Sequence, residues 1–197
     1  MDTELVFRLA TFILLFGGLG FAMYTRAKGE RAGGAMRSRE GQGLLVVLRL
    51  FALIAILPLF GYIFVPDWVA WARFSAPDWL RWLAVLPAVA AVPFLVWVHS
   101  TIGKNISPVQ ATRQDHKLIT SGPYHYIRHP LYTGGSVFFL ALSVITTLWW
   151  IVAIGVIPML IIMIFRTPLE EARLIEAFGD EYRDYMKRTG RFLPKLS

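Results

Sequence analysis

Long apolar runs with few charges, separated by short basic loops, dominate the chain, and each run approaches the ~20 residues a helix needs to cross a bilayer. The first extends from Leu5 to Tyr24, the second from Leu44 to Phe64 around Pro58, and the third from Leu80 to Val98 around Pro87 and Pro93. Prolines of this kind are tolerated where neighbouring helices re-satisfy the freed carbonyls. From Leu131 to Phe165 no charged residue occurs, which is roughly two crossings at ~1.5 Å per residue. A split near Thr146 to Trp149 turns this stretch into a tight hairpin, for a total of five spans and an all-α integral membrane protein.

After Phe165 the pattern becomes amphipathic. Thr167, Pro168 and Glu170 have the order of an N-cap, a first-position proline and a capping-box acid, so a helix is expected to begin there. Leu169, Ala172, Ile175 and Phe178 share its apolar face, Gly179 suits a left-handed end, and Asp180 can cap a second helix bearing Tyr182 and Tyr185. This pair is expected to lie on the membrane or on the loop before the hairpin. The glycines from Gly29 to Gly43 lack the strand and helix of a phosphate-binding loop and read as a linker. Division of the chain into a three-span part, residues 1–102, and a polar-loop part, residues 103–197, leaves one structural domain.

Composition agrees with lipid as the solvent: 56% of the 197 residues are hydrophobic. The first run lacks a small-residue cleavage site and begins with Asp2 and Glu4, so it reads as a retained span and not a signal peptide. The net charge of +7 is spread over short loops, which fits retention beside anionic lipid and not a nucleic-acid partner. Arg26, Lys28, Arg31, Arg37 and Arg39 crowd one loop; Lys104, Arg113, Lys117 and Arg128 precede the hairpin; the tail is basic as well. These regions are expected on the cytoplasmic side, with the N-terminus outside. The connection from Pro66 to Asp78 has only Arg73 and is flanked by Trp68, Trp71, Trp79 and Trp82, an aromatic belt for the opposite interface. Arg8 and Arg49, near or within spans, are expected to snorkel or to cap a helix end.

With no cysteine, disulfides, thiolate metal sites and cysteine nucleophiles are excluded. Chemistry concentrates between His116 and Tyr132, where three of the four histidines and three tyrosines sit beside the hairpin. His125 and His129 have ligand spacing for a helix, but Pro123 and Pro130 oppose that geometry and no zincin glutamate is present, so no metal is expected. Ser121 and Ser136 lack a nucleophile elbow, and Asp115 is the only nearby acid.

The ordered set His116-Lys117-Leu118-Ile119, Gly122-Pro123-Tyr124, Arg128-His129-Pro130-Leu131-Tyr132, the hairpin, Arg166 to Glu171, and Phe178-Gly179-Asp180-Glu181-Tyr182 with Tyr185 resembles the isoprenylcysteine carboxyl methyltransferase family. The related membrane phospholipid methyltransferases share much of it. The likeness covers roughly residues 103 to 194; the spans before it match only as generic spans. It implies an S-adenosyl-L-methionine-dependent transferase, its cofactor enclosed on the cytoplasmic side between the loop before the hairpin and the C-terminal helices. A lipophilic or lipidated acceptor would enter from the bilayer. By this resemblance the cofactor contacts fall on His116, Lys117, Leu118, Ile119, Tyr124, His129, Pro130, Leu131, Tyr132 and Glu170, with Gln110 offset by one position from a glutamine of some relatives. The acceptor-contacting arginine falls on Arg166, and Arg128 is a second catalytic candidate.

Physical chemistry is compatible with those roles. A cationic sulfonium with an adenine ring suits the faces of Tyr124 and Tyr132, a carboxylate such as Glu170 for its amine or ribose, and histidine donors for its carboxylate. Each residue also has a plainer reading: Arg166 as a positive-inside anchor, Glu170 as a capping acid, the tyrosines as interfacial packing, Arg128 as a headgroup anchor. Carboxyl O-methylation of an isoprenylcysteine-like or other lipophilic carboxylate is the first expectation. Phospholipid N-methylation, thiol S-methylation and a noncatalytic interaction protein are the alternatives.

Overall fold

The computed structural model describes residues 2–31, 54, 56–102 and 118–195, and all its regular structure is helical apart from two isolated bridges. Helix α1 is Thr3–Arg31, so the helix continues seven residues past Tyr24 and includes Arg26, Lys28 and Arg31, which were expected in a loop. The second run is seen as α2, residues 56–64; its beginning, with Arg49, lies outside the described residues. A 3-10 helix, Pro66–Ala72, then leads to α3, Asp78–Ile102, which accommodates Pro87 and Pro93. After a 3-10 turn at Gly122–His125 come α4, Pro130–Thr146, and α5, Trp149–Phe178. The last helix, α6, is Asp180–Arg188.

Two of these helices, α3 and α5, are long and apolar enough to cross a bilayer, with mean hydropathies of 1.9 and 2.2; α4 is a shorter apolar helix. Their outward faces carry the exposed side chains of Leu83, Leu86, Val89, Leu140, Leu160, Ile161, Ile164 and Phe165, which a bilayer would cover. Inside, Leu59, Tyr62, Leu142 and Leu148 form one cluster and Phe7, Ala88, Ala141 and Ile145 another, joining α1, α2, α3 and the hairpin. Close approach of α3 to α4 depends on Gly134, where a Cβ would lie 2.8 Å from the Phe94 ring.

The hairpin turns where the charge-free run was expected to divide. Thr147 takes the left-handed conformation (φ 56°), a cost offset by hydrogen bonds from Phe74 N–H to its carbonyl (2.8 Å) and from Arg73 Nε to its hydroxyl (3.2 Å). Arg81 reinforces the same end of the bundle. Only 4% exposed, it donates to Glu4 (2.8 Å), the Tyr62 hydroxyl (2.9 Å) and the Ile145 carbonyl (2.9 Å), and its guanidinium lies 3.8 Å from the Phe7 ring centroid. Arg8 caps α2, donating from Nε to the Ile63 carbonyl at 2.8 Å.

No new helix starts at Thr167. α5 runs through it, and the Thr167 hydroxyl donates back to Ile162 O (3.4 Å) instead of capping, so the expected capping box is absent. The reason is local: a π turn, Ile162–Arg166, directly precedes Pro168, as another, Val152–Val156, precedes Pro158. Widening the turn gives room for the proline ring against the carbonyl four residues back, so the helix continues. Gly179 does end α5 with positive φ (59°), but Asp180 accepts from Arg183 (2.7 Å) and does not cap α6.

Candidate functional site

α5 outlasts its own apolar stretch. Three further turns beyond Phe165 carry Glu170 and Glu171 past the start of α4, where Arg128, His129 and Tyr132 lie. Its buried face is not the expected one: Leu169 and Ala172 are exposed, while Thr167 and Glu171 are turned inward. A carboxylate can take that position because its neighbours there are donors.

Glu171, 3% exposed, accepts from Arg128 Nε (2.9 Å), His129 Nε2 (3.3 Å) and Arg191. Burial alone would raise its pKa, but the hydrogen bonds from His129, Arg191 and Arg128 prevail and hold the carboxyl down to about 2. Arg128 also donates from its guanidinium to the carbonyls of Met186 (3.3 Å) and Thr189, so its side chain is committed to protein partners. His129 is buried, and its ring is nearly parallel to Tyr132, with centroids 5.7 Å apart. The Tyr132 hydroxyl donates to Glu170 at 3.0 Å.

The segment after α6 crosses this cluster as a strap. Arg128 N–H and His129 N–H, which open α4, donate to the carbonyls of Gly190 (2.8 Å) and Arg191 (3.1 Å), and the Thr133 hydroxyl donates to Phe192 O (2.8 Å). The Phe192 ring closes against His129 at 5.9 Å. Gly190 admits no side chain, because a Cβ there would collide with the Leu193 carbonyl.

Tyr124 lies half-buried in the 3-10 turn, whose Gly122 (φ 60°) packs against Trp97 and Thr101 at the end of α3. Its carbonyl accepts from the Tyr185 hydroxyl (2.5 Å), which fastens α6 onto the loop. Burial pushes the Tyr124 phenol above its ordinary range, with Tyr185 and Glu170 adding to the effect, and burial pushes Tyr185 up to about 12. Both phenols are neutral at physiological pH.

Of the residues singled out from sequence, Tyr124, His129, Pro130, Tyr132 and Glu170 come together around one end of the bundle, with Leu118 and Ile119 half-buried and Leu131 exposed. Arg166 is exposed on the π turn, within electrostatic range of the Tyr132 phenol. Gln110, His116 and Lys117 lie outside the described residues. His125 is exposed in the 3-10 turn while His129 is buried, so the two do not share a helix face. Sequence reasoning missed Glu171, Arg191 and Phe192. The one signal for Glu171 was a second acid beside Glu170, about 100° around the helix and so on a different face.

Known proteins resemble this chain in sequence and in fold. Protein-S-isoprenylcysteine O-methyltransferase of Mus musculus is 34% identical over 131 residues, covering 64% of this chain and 45% of the mouse protein. Methanethiol S-methyltransferase of Pseudomonas deceptionensis is 37% identical over 73 residues, 37% of this chain and 27% of that protein. The chain thus spans less than half the length of either relative. Among solved structures, the eukaryotic intramembrane Ras methyltransferase (isoprenylcysteine carboxyl methyltransferase) superposes with a TM-score of 0.57 over 94% of this chain and 67% of its own, at 16% identity, a likeness of fold. The family model for phospholipid methyltransferases matches residues 79–181, from the start of α3 through Glu170, Glu171 and the first residues of α6. More than half of the chain is matched, and it includes the helices that bring His129, Tyr132 and Glu170 together: the chain belongs to the phospholipid methyltransferase family.

Proposed function

We propose that the chain is an S-adenosylmethionine-dependent methyltransferase acting on a lipophilic acceptor, most directly a carboxylate that it converts to a methyl ester. The observation that carries this reading is the Tyr132–Glu170 pair beside buried His129, at the end of a hairpin whose sides are exposed and apolar. Five spans, with the N-terminus outside and this end of the bundle in the cytoplasm, are the topology that the apolar runs and the basic loops support.

The residues fit the cofactor. Glu170 offers a carboxylate to an amine or a ribose hydroxyl, Tyr124 and Tyr132 offer aromatic faces to a cation or an adenine ring, and His129 offers a ring nitrogen. His116, Lys117, Leu118 and Ile119, with Gln110 of lower weight, belong to the same assignment by resemblance, as do Pro130 and Leu131. When bound, the cofactor supplies an activated methyl group on a sulfonium. The chain's contribution is to hold acceptor and donor in line and to exclude water, and positioning of this kind can lower a barrier by roughly 7 to 11 kcal/mol. Arg166, exposed and one turn before Glu170, orients the acceptor carboxylate through two parallel N–H donors. A carboxylate acceptor needs no general base. Arg128 serves the reaction by holding the end of α6 and the strap in place.

The test is transfer of a labelled methyl group from S-adenosylmethionine into lipid extract and isoprenylated peptides by the purified protein. A product released by mild base is the ester expected here. A base-stable amine identifies phospholipid N-methylation, a thioether identifies the S-methylation named for the Pseudomonas relative, and no transfer to any acceptor contradicts the reading.

A further inference from the structure

Glu171 is the most heavily engaged acid among the described residues. Its two oxygens receive three donors from two separate segments: Arg128 and His129, which open α4, and Arg191 in the strap. The ionised carboxylate can only accept, so the imidazole nitrogen that faces Oε1 at 3.3 Å is a donor, Nε2–H. In a neutral ring Nδ1 then carries the lone pair.

We infer that Glu171 is a positioning residue, which fixes His129 as the Nε2–H tautomer, so that Nδ1 accepts a hydrogen bond from an N–H or O–H of the bound cofactor, and which ties the strap over that ring through Arg191. This rests on the methyltransferase reading and adds two elements to it. His129 acts as an acceptor toward the ligand, suited to an ammonium or a ribose hydroxyl and not to a carboxylate. The strap, residues 189–193, becomes part of the site although it lies beyond the stretch matched by the family model. A carboxylate serving only as an ion-pair anchor would need Arg128 and Arg191 alone. It is the contact with His129, stacked on Tyr132 and covered by Phe192, that connects Glu171 to the ligand-binding face.

The experiment uses the full chain in detergent with histidine nitrogens labelled by 15N, and S-adenosylhomocysteine as the probe. Four histidines are present, and the His129 signals are assigned by their loss in His129→Gln. In the wild type His129 shows the Nε2–H tautomer, and saturation with S-adenosylhomocysteine shifts Nδ1 in the direction of an accepted hydrogen bond. An Nδ1–H tautomer, or an Nδ1 signal unmoved at saturation, overturns the inference without any variant having to fold. Glu171→Gln is expected to mix the tautomers and weaken S-adenosylhomocysteine roughly tenfold or more, with Glu171→Asp restoring part of both. Arg191→Gln keeps the tautomer while weakening the ligand severalfold. Wild-type affinity and tautomer in Glu171→Gln would also overturn it, whereas failure of the wild type to bind the probe at all counts against the methyltransferase reading itself.

Discussion

Arg166 and Glu170 are separated by one turn of α5, yet they face different tasks. Glu170 already accepts from Tyr132 and is the residue proposed to meet the cofactor, while Arg166 is exposed where α5 leaves its apolar stretch. Glu170→Ala is therefore expected to lower S-adenosylhomocysteine affinity by on the order of 1 to 3 kcal/mol, as loss of a charged hydrogen bond does. Arg166→Ala should leave that affinity within a few-fold and cut turnover strongly, with Arg166→Lys rescuing only in part because an ammonium lacks the two-pronged geometry. Isothermal titration and labelled methyl transfer measure the two effects; full transfer by Arg166→Ala would reduce Arg166 to a topological anchor. Glu171 adds a pH signature. Its carboxyl is held down to about 2 from an ordinary value near 4.5, so the folded state is favoured by its charge above pH 4.5 and loses that advantage as pH falls toward 2. The melting temperatures of the wild type and Glu171→Gln should therefore converge as pH drops through that window. The meeting of Tyr124, His129, Tyr132 and Glu170 at one end of the bundle was foreshadowed by the ordered motifs that carry the family resemblance. Glu171 and Arg191 were not, because their importance comes from an encounter between segments 20 residues apart that no local pattern encodes.

At the level of elements, the apolar pattern specified α3 and α4 and placed the turn between Thr146 and Trp149, since a charge-free run too long for one crossing has to fold back. It misjudged α5. A threonine, a proline and a glutamate in capping order are locally indistinguishable from a helix start, and only the π turn, a backbone adjustment without a side-chain signature, lets the helix pass through Pro168. That turn also has a consequence for function, because one extra residue rotates the remainder of the helix by roughly 100°. Pro168→Ala restores an N–H and permits an ordinary α turn. It is expected to preserve or raise the melting temperature while lowering methyl transfer, since Arg166 and Glu170 would rotate together relative to α4. Unchanged turnover in a stable Pro168→Ala protein would show that the π turn only accommodates the proline. The face of α5 was misjudged for a related reason: hydrophobic periodicity assigns apolar residues to the interior, but here Leu169 and Ala172 face outward and the acid is enclosed by donors.

For the molecule as a whole, the two ends of the bundle are built on opposite principles. One end is closed by the buried Arg81 with Glu4, Tyr62 and the Thr147 turn; the other gathers His129, Tyr132, Glu170 and Glu171 where the 3-10 turn, the hairpin and the strap meet. Arg81→Ala leaves Glu4 without its closest partner and uncovers the Ile145 carbonyl, so a loss on the order of 3 to 5 kcal/mol is expected, read as a lower melting temperature in detergent with S-adenosylhomocysteine affinity little changed. Orientation is tested by cysteines at Ser38, Ser75 and Ser197: the first and last should be labelled from the cytoplasmic side and Ser75 from the other. Ser75 and Ser197 on the same side would refute five spans with this orientation. The central claim, that the polar end binds a methyl-donor cofactor, is tested most directly by titrating the purified wild-type protein with S-adenosylhomocysteine and monitoring its melting temperature. The account predicts saturable binding that stabilises the fold by ~2.7 kcal/mol at one hundred times the dissociation constant, weakened by His129→Ala and by Glu170→Ala; absence of any stabilisation across several lipid and detergent environments would contradict it.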